Sequence, residues 1–256
     1  MTQPALIIGL GGTGQWVLTM LKKDLLEVKN GEGINNVRLL GIDTQIPEVN
    51  LAGVGDNFNG DDRLKGLTNA KVGNVSLDRN LEFLQIGEPL FEKIKSIHNS
   101  NPKIAHYDWL ETETLIRMGP AACNSTVGAG AYRQLGRLSL FNNANKVHAQ
   151  IAKKIAELKP ILNGRELLVH IITSIAGGTG SGIFLDVAWL TRLAAGDTNI
   201  HLSGFIVLPS AWEQNGPSRD KRVRSYAAWR ELDRFLTIDP AGGTHQKIVY
   251  DPNTGL

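Results

Sequence analysis

The tetrapeptide Gly-Gly-Thr-Gly stands twice in the chain, at 11–14 and at 177–180, each time between an apolar run of strand length and a run with helical apolar spacing. A strand that passes through glycines straight into a helix opens a βαβ unit, so two copies constrain the fold to α/β with parallel strands and right-handed crossovers. The first copy follows Ala5-Leu-Ile-Ile-Gly-Leu10 and precedes Val17, Met20, Leu21 and Leu25. The second follows a strand predicted over 166–173 and precedes a helix predicted over 183–195, with Gly196 as its C′ residue.

Between and beyond these units the pattern is uneven. The first helix is predicted to run out at Asn30-Gly31, and a second strand, Val37–Ile42, ends in Asp43-Thr44. The region 45–125 reads as a loop-rich covering segment, with a Gly/Asn/Asp-rich stretch (GVGDNFNGDD), one short helix near Leu81–Ile97 and an irregular piece at Tyr107-Asp-Trp109. After Gly128-Ala-Gly130, a single long helix is predicted from Tyr132 to Leu158, stopped by Pro160 and Asn163-Gly164. A strand over Leu202–Leu208, a helix over 222–236 and an incomplete hairpin over 240–256 complete the reading. The predicted architecture is a Rossmann-like, mostly parallel sheet with helices on both faces, a single domain spanning 1–256.

Composition excludes several classes. The net charge of +2 is spread along the chain, so neither nucleic acid nor an anionic membrane is indicated as a partner. A single cysteine, Cys123, excludes an internal disulfide and a cysteine-rich metal site. The apolar runs fall well short of the roughly 18 residues that span a bilayer, and the expected location is cytoplasmic.

Glycines at a strand-to-helix turn permit positive φ and let a ligand approach backbone N–H groups with no Cβ in the way. The first N–H groups of a helix lack internal partners and the helix dipole favours negative charge there, so phosphate is a natural occupant. Thr13, Thr179 and Ser181 add hydroxyls at these mouths, and Gly128-Ala-Gly130 supplies a third loop that opens a helix. The plainer reading is that the glycines serve only tight turns and close helix-on-strand packing. Residues 9–14, Gly-Leu-Gly-Gly-Thr-Gly, also satisfy the G-x-G-x-x-G dinucleotide fingerprint, with Asp43 placed to take a ribose hydroxyl; an NAD(P)-dependent oxidoreductase is one reading of that match. It leaves the second glycine loop unexplained, because one pyrophosphate needs one loop. The G-x-x-x-x-G-K-[ST] phosphate loop is absent, and no lysine follows any glycine run.

Taken together, these residues resemble the tubulin/FtsZ superfamily, and within it the divergent prokaryotic tubulin-like group. The family loop G-G-G-T-G-[ST]-G stands here as Ala176-Gly-Gly-Thr-Gly-Ser-Gly182, with alanine at its first position. The order is also similar: a first glycine loop, an acidic residue after the second strand, a Gly-Ala-Gly-Ala loop before a helix carrying Arg133 and Arg137, then the family loop. The resemblance implies a GTP-binding protein, cytoskeletal and filament-forming in its full-length form. Gly11, Gly12, Thr13, Gly14 and Gln15, with Gly177, Gly178, Thr179, Gly180, Ser181 and Gly182, would hold the α- and β-phosphates of GTP or GDP. Gly128, Ala129, Gly130 and Ala131 would face the γ-phosphate, and Asp43 would lie near the phosphates and their Mg²⁺. The family's base-reading asparagine has no counterpart in Arg222–Trp229, where Tyr226 is the candidate to stack on the base. The family's catalytic acidic loop and second domain would lie past the end of this sequence, so no catalytic residue is assigned and hydrolysis is expected to depend on head-to-tail assembly. A nucleotide-sensing module that does not polymerise is the other form this resemblance allows.

The six histidines show no metal-ligand spacing and read as structural or surface residues, His170 as a core histidine in an apolar strand. Asp186, on an otherwise apolar helix, must be paired or face the nucleotide side. Ser210, Ser218 and Ser225 have no matched His and Asp for a hydrolase triad.

Overall fold

The computed structural model describes residues 3–28, 34–45, 72–100, 104–211, 219–237 and 250. Within them, β1 (Ala5–Leu10), α1 (Gly11–Glu27) and β2 (Val37–Asp43) form the first unit, and β4 (Leu167–Ser174), α6 (Thr179–Ala195) and β5 (Ile200–Val207) form the second. Between the units lie β3 (Phe83–Gln85), α2 (Phe91–His98), α3 (Thr112–Met118), α4 (Arg133–Asn142) and α5 (Ala144–Leu158); α7 (Arg219–Thr237) follows β5. The five strands pair parallel in the order β3-β2-β1-β4-β5.

The alternation of β1 divides the core. Leu6, Ile8 and Leu10 are fully buried in one cluster with Val147 and Ile151 of α5 and Ile183 and Val187 of α6. Ile7 faces the other way and packs with Leu18 of α1 and Leu39 of β2. Helices therefore cover both faces, as an all-parallel sheet requires. The fully buried stripe of α1 is Gly14, Gln15, Leu18 and Thr19; of the apolar positions read from the sequence, Val17, Met20, Leu21 and Leu25, only Leu21 packs on the Leu18 cluster, because two small residues and one glutamine occupy the face that lies on the sheet.

Two elements differ from the sequence reading. The helix predicted over Leu81–Ile97 is a three-residue edge strand followed by α2, since Gly41–Asp43 offers Phe83–Gln85 a ladder that no local periodicity announces. The long helix predicted from Tyr132 to Leu158 breaks at Asn143, whose amide donates to the carbonyl of Ile86 (3.2 Å) and to Glu88 (3.1 Å) across the core. The glycine-rich stretch 53–62, the stop at Asn30-Gly31 and the predicted hairpin over 240–256, Tyr250 excepted, lie outside the described residues. Among the described residues, no helix is long and apolar enough to cross a membrane.

Candidate functional site

The chain reverses its direction of winding at β1 and β4, which are neighbours although 157 residues separate Leu10 from Leu167 by number. In open parallel sheets such a switch point leaves a crevice outside the carboxyl ends of the strands, where ligands bind. Both Gly-Gly-Thr-Gly turns sit at this crevice, and they touch: a Cβ placed on Gly11 would stand 3.1 Å from the backbone nitrogen of Gly180. The Gly128–Ala131 loop meets them there, since a Cβ on Gly178 would lie 2.9 Å from the Ala129 Cβ and 3.0 Å from Ala131. The three loops separated in sequence therefore converge at one end of the sheet.

The glycines divide by what surrounds them. Gly9 and Gly14 lie back to back, a Cβ on Gly9 falling 2.5 Å from the Gly14 carbonyl, which brings α1 down onto its own strand. Gly180 is closed in by Thr173, by the Leu10 carbonyl (3.0 Å) and by the Ser174 carbonyl (3.1 Å). Gly182 lies against the Arg133 carbonyl, and Gly136 of α4 lies 2.7 Å, at its absent Cβ, from the Gly178 carbonyl. At these positions close packing by itself requires glycine. Gly11 has φ +67°, a turn that favours glycine. Gly177 is different from all of them: its φ is not left-handed, and nothing lies within 4 Å of the place where a Cβ would be. Neither a turn nor packing against the described residues explains glycine there.

The backbone around the crevice is rich in unspent donors. Helices α1, α4 and α6 all begin without a side-chain cap and without an acidic residue in the first turn, so their first N–H groups and the positive ends of their dipoles face the loop cluster. Ala131 is held at φ +66°, a left-handed conformation that costs a non-glycine residue about 1 kcal/mol or more. The Tyr132 N–H donates to the Ala129 carbonyl at 2.7 Å and fixes that turn.

Side chains from three elements close the floor. Gln15 of α1 donates through Nε2 to Asp43 Oδ2 at 2.5 Å, and the Thr44 N–H donates to Asp43 Oδ1 at 2.7 Å. The hydroxyls of Thr44 and Thr179 share a hydrogen bond of 2.9 Å, tying the end of β2 to the start of α6. Gln15 is buried, yet its Oε1 has no hydrogen-bond partner among the described residues. Burial raises the Asp43 carboxyl above its ordinary value, opposed by the donors from Thr179, Thr44, Gln45 and Gln15. This carboxylate is met by amides and hydroxyls, with no ion pair among the described residues, the environment that a bound cation would suit.

The hydroxyls are more committed than the sequence implies. Ser181 Oγ donates back to the Gly177 carbonyl, and Thr179 is engaged with Thr44. Tyr226 is 63% exposed on α7, where Arg230 donates to its hydroxyl at 3.2 Å; it is a surface residue, not a core one. Its neighbour Ser225 donates to the Ile175 carbonyl (3.2 Å) and Arg224 to the Ala176 carbonyl (3.3 Å), which seats α7 beside the second glycine loop. Thr44 was not singled out by sequence; its place immediately after Asp43 at a strand end was the available signal. Asp186 is paired rather than turned to the crevice, receiving Arg137 Nε at 2.9 Å and Nη2 at 3.1 Å. His170 is half-buried on the sheet face, its Nδ1 2.7 Å from Ser203 Oγ.

A doubly wound parallel sheet with three glycine loops gathered at its switch point is the class that the geometry defines. The sequence matches the family model described as "Tubulin like" over residues 6–256, and the chain belongs to that family. Similar solved structures include TubZ of Clostridium botulinum phage c-st, 16% identical with a TM-score of 0.45 over 90% of this chain and 48% of that one. FtsZ of M. jannaschii is 14% identical, with a TM-score of 0.46 over 95% of this chain and 51% of that one. A GTPγS-bound protofilament of CetZ2 from Haloferax volcanii is 12% identical, with a TM-score of 0.41 over 93% of this chain and 61% of that one. The chain thus spans about half the length of the first two structures. No curated protein matches the sequence.

Proposed function

We propose that this chain binds GTP and GDP with Mg²⁺ at the loop cluster and, in its full-length form, assembles head to tail into cytoskeletal filaments that hydrolyse GTP on assembly. The observation that carries the proposal is Gly177, a glycine with open space at its Cβ beside uncapped helix ends. Phosphate oxygens fit there, because they would take the N–H donors that no side chain uses and would need the room that a Cβ would fill. Membership of the tubulin-like family supports guanine nucleotide over dinucleotide, as does the presence of two strand-to-helix glycine turns where NAD needs one.

Residues 11–15 and 177–182 take the α- and β-phosphates in this reading, and residues 128–131 face the γ-phosphate. Gln15 offers its unpartnered Oε1 and Asp43 its buried carboxylate to the hydrated cation. Bound Mg²⁺ would supply charge neutralisation of the phosphates, since no lysine follows any of the glycine runs. Tyr226, exposed on α7 next to the residues that hold the second loop, is assigned to the base. Calorimetric titration tests the reading: micromolar GTP binding that depends on Mg²⁺ is expected, whereas binding of NAD with no response to GTP would reverse it.

A further inference from the structure

Helices α4 and α6 each begin at one of the converging loops, so their relative placement sets the distance between residues 128–131 and 177–182. Their backbones are in direct contact at Gly136 and Gly182, where no Cβ is accommodated. Two arginines one turn apart on α4 bracket that contact. Arg133 donates to the Ser181 carbonyl at 3.2 and 3.1 Å and pairs with Glu231 of α7. Arg137 forms a two-pronged pair with Asp186 of α6, whose carboxylate is almost wholly enclosed, and its guanidinium lies 4.7 Å from the Trp109 ring centroid and 5.2 Å from that of Phe141. Tyr250 closes the group, donating its hydroxyl to Asp186 Oδ1 at 3.1 Å and setting its ring edge-on to Phe141 at 4.9 Å.

Hydrophobic contact between α4 and α6 would permit sliding. A bidentate guanidinium–carboxylate pair fixes both distance and orientation. An enclosed pair of this kind contributes little net stability compared with apolar residues of the same volume, so its consequence is geometric. We infer that Arg137, Asp186 and Tyr250 form a positioning lock that sets the 128–131 loop against the 177–182 loop, from a place about one to two helical turns past the loops. The consequence for ligand affinity rests on the GTP reading above; the effect on the loops does not.

The test compares the wild-type chain with the double variant Arg137→Met/Asp186→Leu and with Tyr250→Phe, using thermal melting, amide exchange without ligand, and GTP titration. The double variant leaves no buried charge unpaired and orphans only the Tyr250 hydroxyl, so it should melt within a few degrees of the wild type, yet its amides at 128–131 and 177–182 should exchange about tenfold faster, a local loosening rather than a global one. Its GTP affinity should fall by a similar factor. Tyr250→Phe removes one hydroxyl donor and should move loop exchange in the same direction by about threefold. Unchanged loop exchange in a double variant that melts like the wild type overturns the lock, and if that variant does not fold, unchanged exchange in Tyr250→Phe does so. Because exchange is read without ligand, a wild-type chain that ignores GTP defeats the functional proposal while the exchange rates still decide whether the lock exists.

Discussion

The two Gly-Gly-Thr-Gly turns are identical in sequence and different in what they require. In both, the last glycine brings a helix onto the sheet: Gly14 against Gly9, and Gly180 against Thr173 and the Leu10 carbonyl. The first glycine diverges, for Gly11 is demanded by a left-handed backbone while Gly177 has an ordinary φ and empty space around its Cβ. The residues that follow diverge as well. Gln15 reaches across to Asp43 and keeps a free oxygen, whereas Ser181 turns back to the Gly177 carbonyl. A repeated motif therefore reports a repeated strand–turn–helix connection, and only its surroundings tell which glycine serves the fold and which leaves room for something else.

The comparison breaks most severely at the last glycine of the turn. Gly180→Val forces a branched side chain against the Thr173 hydroxyl and the Leu10 and Ser174 carbonyls and should cost about 3 kcal/mol or more, lowering the melting temperature by about 6–12 °C in a chain of this size. A melting temperature within a degree of the wild type would show that α6 is not held by this contact. Gly11→Ala should cost less, about 1–2 kcal/mol from the left-handed φ with some addition from the Gly180 nitrogen beside it. Denaturant unfolding with an unchanged slope would measure it, and a loss below a few tenths of a kcal/mol would mean that the turn relaxes.

The residue after the first repeat sharpens the contrast through Asp43. Its carboxyl is raised by burial, so the folded chain holds that proton more tightly than the unfolded chain does. The charged form is thus a liability at neutral pH, fully present above the folded value and relieved as pH falls through it toward the ordinary carboxylate range. Asp43→Asn should stabilise the ligand-free protein at neutral pH. Gln15 can flip so that its unpartnered Oε1 accepts from the new amide. Melting curves at pH 7 and 5 should show the variant's advantage shrinking as pH falls; an advantage that grows would contradict the assignment.

Much of this was legible in the sequence, and the limits have physical causes. β1, β2, β4 and β5 and the helices α1, α6 and α7 announce themselves through apolar runs and turns that local periodicity can read. β3 does not, because three residues carry no period and the partner that makes them a strand, Gly41–Asp43, lies 42 residues earlier. The break between α4 and α5 escapes for the same reason: Asn143 spends its amide on Ile86 and Glu88, contacts set by the tertiary fold. At the candidate site the loops could be located but their glycines could not be sorted. That Gly178 is enclosed by Ala129 and Ala131 while its neighbour Gly177 is open is a fact about a loop some 50 residues away. Any side chain at Gly178 would therefore test packing before it tests a ligand.

The central claim is that Gly177 is glycine for a ligand and not for the fold, and Gly177→Ala tests it with two readings on one protein. With open space and an ordinary φ, alanine should leave stability within about 0.5 kcal/mol of the wild type, or raise it slightly by restricting the unfolded chain. The same methyl group stands where phosphate is proposed to sit, so GTP affinity by calorimetry should fall by about tenfold or more, equivalent to about 1.4 kcal/mol. An unchanged melting temperature with a collapsed GTP affinity is the predicted result. An unchanged melting temperature with wild-type GTP affinity would contradict the account, because it would leave phosphate bound elsewhere and the glycine at 177 without a reason.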